Sequence, residues 1–180
     1  MAIKAPESFE TRRLVIRRPL ASDVKPIFSR YASDREVTRF VGWRAHQSLA
    51  ETRAFLAFSD EEWRRWPAGP YLVESRSDGT LLGGTGLTFE APDRAMTGYI
   101  FARDAWGNGY ATEALHAMIE TARGVGVRQL FALCHTEHQP SWRVLEKCGF
   151  TRETILTRYV EFPNLRPGEP ADVFRYVRVP

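Results

Sequence analysis

A chain of 180 residues with 43% hydrophobic and 26% charged residues carries enough apolar material for one domain with a buried core, and too little for two. Its 25 basic and 22 acidic residues leave a net charge of +3, far from the basic stripe of a nucleic-acid binder, and no apolar run nears the ~20 residues of a bilayer span. Two cysteines, Cys134 and Cys148, exclude a disulfide framework and a cysteine-rich metal centre, and the opening MAIKAPESFETRR lacks the apolar stretch of a secretory signal, so the expected location is cytoplasmic.

RRLVIRRPL (12–20) alternates charge with Leu14 and Ile16 and stops at Pro19, which predicts a strand near a sheet edge. Leu20, Val24, Ile27, Phe28 and Tyr31 follow at helical spacing. Ser33 with Glu36, and Ser48 with Glu51, each fit the capping box that opens a helix. The second leads into a run carrying Leu49, Leu56, Trp63 and Trp66, ended by Pro67. From Pro70 the period changes to two. PYLVESR (70–76), a turn at Ser77-Asp78-Gly79 and TLLGGTGLTFE (80–90) predict a hairpin, and AMTGYIFAR (95–103) a third strand. GGTG (83–86) inside a strand marks a bulge or a close backbone approach rather than a second phosphate loop.

Ala111, Leu115, Met118, Ile119 and Ala122 form one apolar stripe and predict a helix over 111–123, ended by Gly124 and Gly126. VRQLFALCH (127–135) reads as a buried strand. Pro140 suits the first turn of a short helix that runs through Cys148 and is closed by Gly149. Two further strands are expected over 151–161 and 172–179. A meander feeding into crossover helices implies an α/β (α+β) chain with one mixed sheet covered by helices, folded as a single domain over 1–180. The helix at 111 connects two strands that should therefore run parallel.

AWGNGYATEAL (105–115) places Gly107 and Gly109 immediately before that helix. Glycine costs entropy and adds no packing, so the pair marks either a tight turn or a place where a ligand meets backbone N–H groups of a helix start. A Walker A loop is excluded because no Lys-Ser/Thr pair follows, and a dinucleotide fingerprint because Thr112 stands where a third small residue belongs. A pyrophosphate remains the natural guest of a strand, a glycine turn and a helix N-terminus in that order. HTEH (135–138) is too sparse for a zinc site, and no metal is expected.

WGNGYA (106–111) resembles the acyl-CoA signature of the GNAT superfamily of N-acetyltransferases, Gln/Arg-x-x-Gly-x-Gly/Ala, with Gly109 and Ala111 matching and Trp106 in the Gln/Arg position. That departure is common in the RimJ/RimL-type (ribosomal-protein-alanine N-acetyltransferase-like) branch. ETRRLVIRRPLASD (10–23), TGYIFARDAWGNGYATEAL (97–115) and SWRVLEKCGF (141–150) resemble the same branch, so the likeness covers nearly the whole chain. It implies a mostly antiparallel twisted sheet of about seven strands, splayed between the fourth and fifth, here 95–103 and 127–135. Acetyl-CoA as co-substrate would lie in that splay, its pantetheine arm pairing with 95–103. Its pyrophosphate would sit on Gly107, Asn108, Gly109, Tyr110, Ala111 and Thr112, with Trp106 beside them.

The implied activity is direct acetyl transfer to a primary amine, a protein N-terminal α-amine or a small-molecule amine; the alternative is a non-catalytic acyl-CoA-binding module on the same fold. Backbone N–H groups over Phe101, Ala102 and Arg103 are expected to face the thioester carbonyl. The tyrosine that usually serves as acid falls at Leu145, which cannot donate. In the RimJ/RimL pattern, Asn-x-x-Ser precedes the closing helix: Ser141 matches the serine as thiolate proton donor or pantetheine anchor, and His138 holds the asparagine position. The glutamate often found on the central strand falls at Met96, leaving Glu90, Glu137, His135, His138 or ordered water for base work. Expected partners are acetyl-CoA and an amine acceptor, without nucleic acid or membrane; a homodimer is expected from family habit alone.

Overall fold

A computed structural model describes residues 3–180, so the first two residues of the expected 1–180 domain lie outside it. The strands are β1 (Ser8–Glu10), β2 (Leu14–Arg17), β3 (Pro70–Ser75), β4 (Leu81–Ala91), β5 (Arg94–Phe101), β6 (Gln129–His135), β7 (Thr151–Glu161) and β8 (Pro170–Arg178). The α-helices are α1 (Val24–Ile27), α2 (Leu49–Arg65), α3 (Tyr110–Gly124) and α4 (Gln139–Lys147). One sheet holds all eight strands in the order β1-β2-β3-β4-β5-β6-β8-β7. Neighbours are antiparallel except β5 and β6, which run parallel as the α3 crossover requires.

The eighth strand is the departure from the expected seven. Ser8–Glu10 pairs with β2 through Phe9↔Ile16, but three residues are too few for alternation to register in sequence. Strand β2 is consequently second from the edge. The expected helix at 20–31 is one turn each of three pitches: a 3-10 turn at Ala21–Asp23, α1, and a π turn at Phe28–Ala32. Ile27 and Tyr31 are buried as expected, whereas Leu20 is 56% exposed because it stands before the first turn and turns outward.

Ser33 and Glu36 open no helix. Asp34 takes the local N–H groups of Glu36 and Val37 instead, the Ser33 hydroxyl goes back to Phe28 O at 2.7 Å, and residues 33–48 run as turns. At Ser48 the box is half made: Glu51 accepts from the backbone N–H of Ser48 at 3.2 Å, and also from that of Gln47, and α2 starts at Leu49.

Helices cover both faces. Ile27, Tyr31, Leu56, Leu72 and Leu81 form one apolar layer under α1 and α2, with Ile100 against it. Leu115, Met118, Ile119 and Leu145 of α3 and α4 pack over Ile16, Val73, Phe101 and Leu130 on the other. Trp63 and Trp66 are packing residues: Trp63 donates to Pro70 O at 2.8 Å and Trp66 stacks on Phe89. The GGTG segment is a close approach, since a Cβ on Gly83 would stand 2.0 Å from Ile100 O and one on Gly86 2.8 Å from Pro70 Cα.

Candidate active site

The parallel pair is paired only at its start. Arg94, Ala95 and Met96 oppose Gln129, Leu130 and Phe131, and no further. Beyond Met96, β5 stays with β4 and β6 stays with β8, so the strands diverge into a wedge. The Ala102 N–H closes the β4 ladder by donating to Leu82 O at 2.8 Å. Strand alternation then turns the peptide groups of Phe101, Tyr99 and Thr97 toward the wedge. The indole of Trp106 donates to Phe101 O at 2.7 Å and seals that strand end.

Of the backbone donors expected over 101–103, the Phe101 N–H faces the opening and the Ala102 N–H is committed to β4. The Arg103 side chain turns away, its guanidinium held by Asp34 at 2.6 and 2.8 Å.

At the carboxyl end of β5 the chain makes a 3-10 turn (Arg103–Ala105) and then the glycine turn. Gly107 and Gly109 have φ of +75° and +77°, left-handed conformations that side-chain-bearing residues enter at a cost of about 1–2 kcal/mol. Gly109 is the N-cap of α3, and a Cβ built on Gly107 would meet nothing within 4 Å. The Asn108 amide holds the turn by donating to Ala105 O and Trp106 O at 3.2 and 3.0 Å. Glu113 N bonds Gly109 O at 3.1 Å, so the N–H groups of Tyr110, Ala111 and Thr112 precede the first intrahelical bond and lack helical partners. Open space, left-handed glycines and aligned amides together fit a pyrophosphate.

The second helix start, that of α4, lies at the carboxyl end of β6, across the wedge from the first. His138 is its N-cap and Pro140 sits in its first turn. Tyr99 of β5 reaches over to it: its hydroxyl donates to Ser141 O at 2.7 Å and lies 3.1 Å from Ser141 Oγ. Burial keeps the Tyr99 phenol protonated far above its ordinary range. Cys134 lines the same place, its Sγ 3.7 Å from His138 O, and burial pushes its thiol up to about 11. The Ser141 hydroxyl thus sits beside a neutral phenol and a neutral thiol.

His138 is stacked on Phe40, with ring centroids 4.5 Å apart at 18°, while His135 meets Phe40 at 5.0 Å and Phe162 edge-on at 4.9 Å. Burial, together with His135 and Arg39, lowers the His138 pKa to about 4, so the ring is neutral at physiological pH. His135 is also lowered by burial, and its Nδ1 accepts from Glu137 N at 3.1 Å. The Phe40 segment is tied down by Asn164, whose side chain accepts from Ala45 N at 2.9 Å and donates to Thr38 O and Trp43 O at 2.8 Å each.

Leu145, in the usual tyrosine position, is 2% exposed in the core. Glu90 pairs with Arg94 at 3.1 Å on the surface, and Glu137 is exposed. Three residues here had no sequence signal of their own: Tyr99, Phe40 and Arg13. Strand alternation could have turned Tyr99 toward the helices, but nothing local tells that Arg13 meets a helix 100 residues later.

The acetyltransferase (GNAT) domain family matches residues 13–151. The chain belongs to the GNAT acetyltransferase family. This acetyltransferase is 29% identical to the uncharacterised N-acetyltransferase YoaA of Bacillus subtilis over 175 residues, covering 93% of each chain. Its fold superposes on RimL, a ribosomal L7/L12 α-N-protein acetyltransferase solved with coenzyme A, with a TM-score of 0.83 at 22% identity, over 96% of this chain and 98% of that one. It superposes as well on spermidine N-acetyltransferase from Vibrio cholerae, solved with CoA and spermine, with a TM-score of 0.77 at 17% identity, over 94% and 96% of the two chains. The acetyltransferase is acetyl-CoA-dependent by family, and its fold is the GNAT fold. Among the described residues no helix is long and apolar enough to cross a membrane, and no group of three or more His, Cys, Asp or Glu is placed to hold a metal ion.

Proposed function

We propose that this single-domain enzyme transfers the acetyl group of acetyl-CoA directly to a primary amine, in the cytoplasm, without a metal and without an acetylated enzyme. The observation that carries this reading is the wedge beyond Met96, with one helix start at each of its parallel strand ends. The pyrophosphate would rest on the amides of 107–112, and the pantetheine arm on the exposed peptide edge of β5. The Phe101 N–H faces the carbonyl oxygen as negative charge builds there. Ser141 Oγ–H donates to the departing thiolate. The wedge holds donor and acceptor side by side and keeps water out.

The acceptor enters past Phe40 and His138. A protein α-amine, pKa about 8, is partly neutral at pH 7, whereas a lysine-like amine near 10.4 must lose a proton first. His138, neutral and half-buried, accepts a hydrogen bond from the incoming amine better than it stores a proton, because its pKa is about 4. The relatives solved with coenzyme A act, by their names, on a protein N-terminus and on a polyamine, and both chemistries suit a direct-transfer wedge.

The deciding experiment follows free thiol release from acetyl-CoA against peptides with free N-termini, polyamines and aminoglycosides. Release with one acceptor class establishes transfer and names the amine. CoA binding without release for any acceptor favours the acyl-CoA-binding module, for which the Leu145 and Met96 replacements speak.

A further inference from the structure

Arg13 stands just before β2, far in sequence from the glycine turn, yet its backbone N–H and its guanidinium are spent there, while its carbonyl accepts from Arg76 N at 2.9 Å. Its backbone N–H donates to Glu113 Oε1 at 2.8 Å, its Nε to Glu113 Oε2 at 2.7 Å and its Nη1 to Asn108 O at 2.8 Å. The guanidinium lies 4.7 Å over the Tyr110 ring, and Nη2 is 3.5 Å from where a Gly109 Cβ would stand. Thr11 completes the cluster by donating to Glu113 Oε1 at 2.6 Å.

Glu113 makes this arrangement more than a tether. It sits in the first turn of α3, one residue beyond Thr112, and a carboxylate so near the amides that receive phosphate opposes a dianionic guest. Burial alone would raise its pKa, but the Thr11 and Arg13 hydrogen bonds outweigh this and hold it below the usual carboxylate range, so the charge is present. A planar guanidinium can cancel that charge while its other arm grips the Asn108 carbonyl. With that carbonyl drawn toward Arg13, the oxygen of the turn points to β2 and the amides after Gly109 are left for the ligand.

We propose that Arg13 is a positioning residue for the donor substrate: from the turn before β2 it locks the Asn108 carbonyl and neutralises Glu113, and so sets the 107–112 amides for the CoA pyrophosphate. The proposal rests on the phosphate reading of that turn and adds to it a part outside the glycine signature. It gives a function to one charge of the RRLVIRRPL run that leads into β2.

The test is calorimetric titration of the purified chain with CoA and with pantetheine, which has the same arm and thiol but no pyrophosphate. Arg13→Gln should weaken CoA by about tenfold or more, the scale of a lost charge-assisted hydrogen bond, and leave pantetheine within about twofold. Arg13→Lys keeps the charge without the fork and should fall between, and it stands in if the glutamine variant does not fold. Gly109→Val is run beside them. If Gly109→Val loses CoA while both Arg13 variants keep it, the role of Arg13 is overturned and the phosphate turn stands. If Gly109→Val keeps CoA, the phosphate turn itself falls. Equal loss of CoA and pantetheine in the Arg13 variants also overturns the proposal, because a general loosening of the fold spares neither ligand.

Discussion

Ser141 has two possible employments, and the hydrogen bonds separate them. As a residue of the first turn of α4 it could serve as a cap, but its hydroxyl is placed against a side chain of the neighbouring strand. Its hydroxyl lies 3.1 Å from Tyr99 Oη, whose own proton is given to the Ser141 carbonyl at 2.7 Å. The phenol therefore accepts, the serine hydroxyl rests on it, and a more basic acceptor such as a thiolate can draw that hydroxyl away. Ser141→Ala should lower turnover by about ten- to a hundredfold, in the range of positioned proton transfer, while CoA affinity stays within about threefold. Steady-state kinetics set beside a CoA titration check this; parallel falls in both would make Ser141 a binding group. Likeness to the RimJ/RimL pattern singled out Ser141, but the Tyr99 partner is invisible in sequence because the bond closes over 42 residues.

At the scale of elements, the stretches with a clean period were legible and the exceptions have causes. The switch at Pro70 and the stripe of α3 gave β3, β4 and α3 within one or two residues, and 151–161 matches β7 end to end. Burial differs: β7 is mostly exposed along its length, so its pattern reflects β-forming residues rather than a buried face. The turns at 33–48 failed because Asp34 captures the amides that a Ser33 cap needed, a competition between two short polar side chains. The glycines of β4 were read for close approach, and Gly83 gives the strongest test. Gly83→Ala puts a methyl carbon 2.0 Å from Ile100 O, and backbone on either side cannot swing away. It should destabilise by about 2–3 kcal/mol, as overpacking does. For a chain of this size that lowers Tm by roughly 4–12 °C. Calorimetric melting reads it, and an unchanged Tm would mean that β4 and β5 slide apart freely.

Across the whole molecule, the two ends of the site are built by different parts of the chain, and this allows them to be disturbed separately. The end proposed for the donor joins β5, α3 and the residue before β2, through Gly107, Gly109 and Arg13. The end proposed for the acceptor joins α4, the 38–45 segment and the loop between β7 and β8, through His138, Phe40 and Asn164. Between them lies the wedge of β5 and β6, bridged by Tyr99 to Ser141 and by Arg103 to Asp34. Asn164 makes the decisive contact at the acceptor end, because one amide side chain satisfies three backbone groups of a segment with no regular structure of its own. In Asn164→Ala these groups return to water, Phe40 loses its fixed place over His138, and the wall that the amine meets becomes loose. The amine KM should rise about tenfold, roughly the worth of one or two neutral hydrogen bonds, while CoA affinity holds within about twofold. Kinetics with saturating acetyl-CoA and varied amine, set against a CoA titration, test this split. If CoA affinity falls with the amine KM, the two ends are coupled through the sheet, and the 38–45 segment closes over the donor as well as the acceptor.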